Sequence, residues 1–220
     1  MVMISFAETC EGVRSITDSR LPADPQEGST ATKWLILLRG VRDVLTYTYE
    51  WVKEGPMAPI LVQKGTLGYD YEIGAAPEDV TMYLDKLSSA FREHSDPEVS
   101  DICIAAIKLL RKSWVGVASG CDFGVAFFWA IFLDDAFMAL LDRNTSEALL
   151  VFGAYCALLH NENWHWWIKG WPKNMLRMIE GMIAEQWKDW LRWPAQVIAD
   201  EEAGKWRPPV LVVTEGMCCE

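Results

Sequence analysis

Basic residues are scarce in this chain: 20 Lys and Arg stand against 31 Asp and Glu over 220 residues, a formal net charge of −11. A protein that displaces counterions from nucleic acid needs a Lys/Arg surface, so direct nucleic-acid binding is not expected. The same imbalance disfavours docking to an anionic membrane. Long apolar runs are missing too. The greasiest stretch, Val125 to Leu141, is interrupted by Asp134 and Asp135. Its unbroken part, Val125 to Leu133, falls well short of the ~20 residues a membrane span requires. The N-terminus has no basic flank and too short an apolar run to read as a secretory signal. These features lead to the expectation of an intracellular protein of cytoplasm or nucleus with no membrane span.

The six cysteines, at 10, 103, 121, 156, 218 and 219, include no Cys-x-x-Cys pair. Their spacing fits neither a zinc ribbon nor a disulfide scaffold. Cys103 and Cys156 sit inside apolar helical patterns and read as buried free thiols. No strand alternation is visible outside Val210 to Val213, and there is no internal repeat or heptad run.

What is present is core-forming material: 51% hydrophobic residues, of which aromatics make up 12% of the chain. That is enough to bury a sizeable core and to exclude wholesale disorder. Residues 1–32 read as a variable N-terminal segment ending in a polar linker, residues 33–207 as one helical domain, and residues 208–220 as a tail. The fold class expected is all-α. Trp34, Leu37, Leu38, Val41, Leu45 and Thr48 recur at spacings of three and four, one apolar helix face. Pro77-Glu78-Asp79 and Asp96-Pro97-Glu98 carry helix-start chemistry, the second with Asp96 as N-cap. Phe123 to Leu141 is apolar nearly all round, the pattern of a central buried helix. Asn144 to Glu147 cap a further helix running to His160. Gly170 is expected to take a left-handed turn ahead of Trp171-Pro172, and Pro194 is a second first-turn proline.

Seven of the 12 tryptophans fall between Tyr155 and Pro194: Trp164, Trp166, Trp167, Trp171, Trp187, Trp190 and Trp193. This block resembles the close of the C-terminal regulatory domain of fungal zinc-cluster transcription factors, in particular the sterol uptake control proteins. Two further segments carry the resemblance. Trp34 to Arg42 looks like the Trp-x-x-Leu-x-Arg-Gly-Val helix of that domain, and Phe137 to Val151 is similar to its helix–turn–helix. Together they span roughly Lys33 to Asp200. The six closely spaced cysteines of the family's zinc cluster are absent, so DNA binding is not carried over. The resemblance implies an all-α ligand-binding domain with an apolar cavity for a lipid or sterol-like molecule.

Phe127, Phe128, Trp129, Phe132 and Phe137 could line such a cavity, together with Phe152, Tyr155, Trp167 and Trp171. The competing reading is that these rings fill the core. Asp134 and Asp135 lack the third acid of a magnesium-binding run and read as helix-end residues. His160 and His165 are five apart, which sets them about 140° from each other on a helix and is the wrong spacing for a shared zinc ion. No metal and no cofactor are expected. Cys156 and His160 stand one turn apart, without a third member or oxyanion hole. Asp134, Asp135 and His160 remain the acid/base candidates if the chain is instead a cyclase or isomerase that folds an apolar substrate by shape. Gly40 inside a helix reads as the site of a close crossing by another helix, and Arg39 is expected to reach a carboxylate or a helix C-terminus nearby. A homodimer, or pairing with a partner transcription factor, is expected to cover apolar surface. The function expected is that of a regulator-like protein, possessing no DNA-binding domain of its own and linked to a secondary-metabolite gene cluster.

Overall fold

Several helix starts are set by local chemistry that satisfies or tolerates free amide groups. The structure, a computed structural model, describes residues 30–52, 54, 75–119, 124–163, 165–166 and 168–202. Among them the chain forms α1 (Thr30–Val52), α2 (Glu78–His94), α3 (Pro97–Ala118), α4 (Gly124–Phe132) and α5 (Asp135–Asp142). After these come α6 (Ser146–His160), α7 (Trp171–Met182), a 3-10 helix (Glu185–Leu191) and α8 (Arg192–Glu202). No strand is present among the described residues, and the fold is all-α. None of the described helices is long and apolar enough to cross a membrane.

Of the caps anticipated from sequence, Asp96 makes its bond, whereas Thr145, the N-cap of α6, makes no side-chain cap and turns its hydroxyl to the Leu140 carbonyl instead. Asp96 accepts a hydrogen bond from the Glu98 amide at 2.9 Å, with Pro97 next in the first turn of α3. Helix α2 carries Glu78 and Asp79 at its positive end and Arg92 and His94 at its negative end, which favours it electrostatically. Gly170 sits at φ 79°, the left-handed turn that lets α7 open on Trp171-Pro172.

Two expectations need correction. Phe123 to Leu141 is not one helix, because the chain breaks at Leu133–Asp134. Asp134 turns its carboxylate onto the Ala136 amide at 2.8 Å and starts α5 afresh. The central helix is instead α6, in which every residue from Ala148 to His160 is buried. Helices α3, α7, α8 and the 3-10 helix pack around it, with α4 and α5 closing the remaining side. Helix α1 rests on α4 and α5, and α2 on α3. The second correction concerns α1: Trp34, Leu35 and Leu38 enter the core, whereas Leu37 faces out. The expectations for residues 1–29 and for the 208–220 tail lie outside the described residues.

Candidate functional site

The aromatic residues singled out in the sequence divide between two clusters and a peripheral pair. Trp129 from α4, Phe137 from α5, Phe152 and Tyr155 from α6, and Trp171 from α7 come together under Trp34 of α1. Trp129 lies 4.3 Å from Tyr155 and 5.7 Å from Phe137, ring centroid to centroid. Phe152 meets Trp171 edge-on at 6.3 Å. The Trp129 indole donates a 2.9 Å hydrogen bond to the Ala106 carbonyl of α3, which fixes the ring's orientation. Phe128 and Phe132 stand apart as a half-buried pair on α4, 4.5 Å from each other. Trp167 lies outside the described residues.

The closing tryptophans form the second cluster. Trp193 stacks on Tyr83 at 4.3 Å, Trp187 meets Phe91 edge-on at 5.8 Å, and the Tyr83 hydroxyl donates to the Trp190 carbonyl at 3.1 Å. These contacts clamp the C-terminal segment onto α2.

One polar atom in the first cluster is left over. The Tyr155 hydroxyl is fully buried and has no hydrogen-bond partner among the described residues. An unsatisfied buried hydroxyl costs about 1–3 kcal/mol.

The acid/base candidates do not converge. Asp134 and Asp135 open α5: the first caps the helix and the second pairs with Arg39 of α1, so the carboxylate expected for Arg39 is Asp135. His160 is buried at the far end of α6. Glu162 and His165, just beyond, approach to 3.5 Å. Among the described residues no group of three or more His, Cys, Asp and Glu side chains could hold a metal ion. Burial pushes the Cys156 thiol far above its ordinary range, and Cys103 rises to about 12, chiefly through burial and further through the Glu147 charge. A nucleophilic cysteine needs the opposite shift.

A cleft of about 470 Å³ opens elsewhere, between α7 and the run from the 3-10 helix into α8. Its floor is apolar: Leu176, Leu191, Ala195, Ile198 and Ala199. Its rim carries four cations, Lys173 and Arg177 on α7 and Lys188 and Arg192 opposite, against two acids, Glu180 and Asp189. Lys188 is held by Glu185 at 2.6 Å and Arg192 by Asp189 at 2.9 Å. The hydrogen bond and charge of Glu185 raise the Lys188 pKa, which keeps that ammonium protonated. Sequence reasoning passed over these residues. The available signal was the spacing: Lys173/Arg177 and Lys188/Arg192 are both four apart, one helical turn, in a chain otherwise short of cations.

No family model matches the chain, and neither a curated protein nor a solved structure does.

Proposed function

We propose that this chain is a ligand-responsive helical regulatory domain, akin to that of fungal zinc-cluster regulators. We further propose that its ligand is an amphiphile with an apolar body and one anionic head. The observation that carries the reading is the cleft between α7 and α8. Its volume lies in the ~300–1,000 Å³ range of small-molecule sites, and such sites pair an apolar lining with a few placed polar groups. With Glu185 and Asp189 paired to Lys188 and Arg192, the rim counts four cations against three acids, a small local excess of positive charge on a protein of net charge −11. It would draw a carboxylate or phosphate head while Leu176, Leu191 and Ile198 cover the tail. A neutral sterol would leave that rim unused, so an acidic lipid or terpenoid fits better. The aromatic cluster around Trp129 then serves as core.

The resemblance to zinc-cluster regulators adds support of a different kind. Its three segments meet in space: Trp34 of the first contacts Trp171 of the third, and Phe137 of the second lies on Trp129 within the same cluster. Regulation rather than catalysis is favoured because Asp134, Asp135 and His160 occupy separate places and burial holds Cys103 and Cys156 protonated.

The test is calorimetric titration with dodecanoate and with dodecanol. The acid should bind and the alcohol of equal length should bind at least ~10-fold more weakly, as expected for a charge-assisted contact. Arg177→Ala should lower the acid's affinity and leave the alcohol's unchanged. Equal affinity for both, or no binding, would remove this reading. Incubation with an unsaturated terpenoid acid, followed by chromatography and mass spectrometry, separates regulator from enzyme: a sensor returns the acid unaltered, whereas an isomer of the same mass but different retention marks a cyclase or isomerase.

A further inference from the structure

Helix α1 is apolar on both sides. Its inner face sends Trp34, Leu35 and Leu38 into the core. At about 100° per residue, Ile36, Leu37, Gly40, Val44, Tyr47 and Trp51 fall within roughly 100° of arc on the opposite side. Tyr47 and Trp51 are 89% and 87% exposed, and Val44 is 61% exposed. A surface helix normally turns charged and polar residues to solvent, so an apolar stripe running the length of the outer side asks for a cover. From Leu37 to Trp51 the stripe advances by three, four, three and four residues, the spacing of a seam between paired helices.

Gly40 sits in the middle of that stripe. A Cβ added there would meet nothing within 4 Å, so packing among the described residues gives no reason for glycine. A backbone approaching from outside does give one. The helix crossing expected at Gly40 from sequence is therefore not made by any described helix of the same chain.

We propose that α1 pairs antiparallel with the α1 of a second copy of this chain, about a two-fold axis at Val44. The stripe matches itself in that direction. Val44 is the midpoint of Leu37 and Trp51, so reversal sets the bulky Trp51 against the slimmer Leu37 and brings Tyr47 over the second copy's Gly40 region. A parallel pair would instead put Trp51 on Trp51 and Gly40 on Gly40, splaying one end and leaving the other hollow. The area is adequate. With aromatic side chains covering ~150–250 Å² each, the stripe offers roughly 600–700 Å² per copy, near the ~800 Å² per partner of a standard stable interface. Isologous pairing also needs no further protein, because the same patch serves both sides.

Size-exclusion chromatography with light scattering on the full chain should give twice the monomer mass at micromolar concentration. Tyr47→Glu combined with Trp51→Glu should raise the dimer dissociation constant at least ~100-fold, as for loss of central aromatic anchors. Both residues are solvent-facing, so the far-UV circular dichroism should be unchanged. Gly40→Leu should weaken the dimer by blocking the close approach. A photo-crosslinking residue in place of Leu37 should join to the region of Trp51 in the second copy. A wild-type chain that stays monomeric would overturn the proposal, leaving another segment or a different protein as the cover. So would a dimer that survives the double variant, or crosslinks from position 37 to position 37.

Discussion

The indole rings of Trp34 and Trp171 lie 4.4 Å apart, centroid to centroid, tilted by 35°. This contact ties the first described helix to the start of α7, across a separation of more than half the chain. Trp34 also touches Phe127 and Tyr155, each at 6.3 Å, so one side chain links α1 to three other helices. A second tie, between Arg39 and Asp135, joins α1 to α5. It is weaker by nature because Asp135 is largely in water.

Trp34→Ala should therefore destabilise the protein by about 3–5 kcal/mol, the usual cost of deleting a buried tryptophan. Urea unfolding would measure it. A loss below ~1 kcal/mol, within the range of surface changes, would mean that α1 is not anchored through this ring.

The Tyr155 hydroxyl makes a contrasting prediction within the same cluster. It is buried and has no partner among the described residues, so Tyr155→Phe removes a desolvated polar group and keeps the ring that packs on Trp129. The variant should be neutral or up to about 1 kcal/mol more stable, since nothing is lost but an unmade hydrogen bond. A clear destabilisation would reveal a partner for that hydroxyl, such as a bound water or a ligand inside the aromatic cluster. That outcome would also move the ligand site from the α7–α8 cleft to the core.

Much of the fold could be read from the sequence because helix starts are written in short-range chemistry. Asp96-Pro97, Gly170-Trp171-Pro172 and Pro194 fix their helices through contacts within a turn or so. The break at Asp134 was harder. The apolar run on both sides of it reads as one helix until the aspartate's reach to the Ala136 amide is weighed against helix continuity. The outer stripe of α1 was hidden for another reason. Inner residues such as Trp34 and Leu38 interleave with outer ones such as Leu37 and Val44, so two apolar faces merge into one periodic signal. For the site, the sequence identified aromatic residues by type, and several of them do converge. The cleft depends on how α7 lies against α8, a tertiary fact that no local spacing encodes. Only the paired cations on its rim left a trace.

Alkaline pH should expose the two core thiols. Burial, assisted by the Glu147 charge, pushes Cys103 up to about 12, and burial raises Cys156 further. An unfolded thiol titrates near ~8.5. Above that value the unfolded chain has shed a proton that the folded chain still holds, so stability falls as pH rises. Each thiol contributes a slope of about 1.4 kcal/mol per pH unit, and neither affects stability well below pH ~8. Tyr83, raised by burial, and Tyr155, raised mainly by burial, add to the slope above ~10, where an ordinary phenol titrates. Urea midpoints taken from neutral to strongly alkaline pH should follow this course, and Cys103→Ala should remove one thiol's share. A flat profile above pH ~9 would show that the thiols ionise within the fold.

Gly153 gives a way to ask whether the cleft is a site at all. It lies on α6 directly beneath the floor: a Cβ there would sit 3.1 Å from one Leu191 methyl and 3.4 Å from one of Leu176. Both leucines line the cleft, so they can yield outward into open space. Gly153→Ala gains about 1 kcal/mol of helix propensity and loses a similar amount in displaced packing. Net stability should stay within ~1 kcal/mol of wild type. The floor, however, is lifted into the volume that an amphiphile's tail would fill, so dodecanoate affinity should drop several-fold with kinetics of unfolding little changed. If stability behaves as expected but affinity does not move, the ligand is not seated on Leu176 and Leu191. Loss of both together would mean the leucines cannot give, and Gly153→Ser, which adds slightly more volume for a smaller helix gain, would then be the more destabilised of the two.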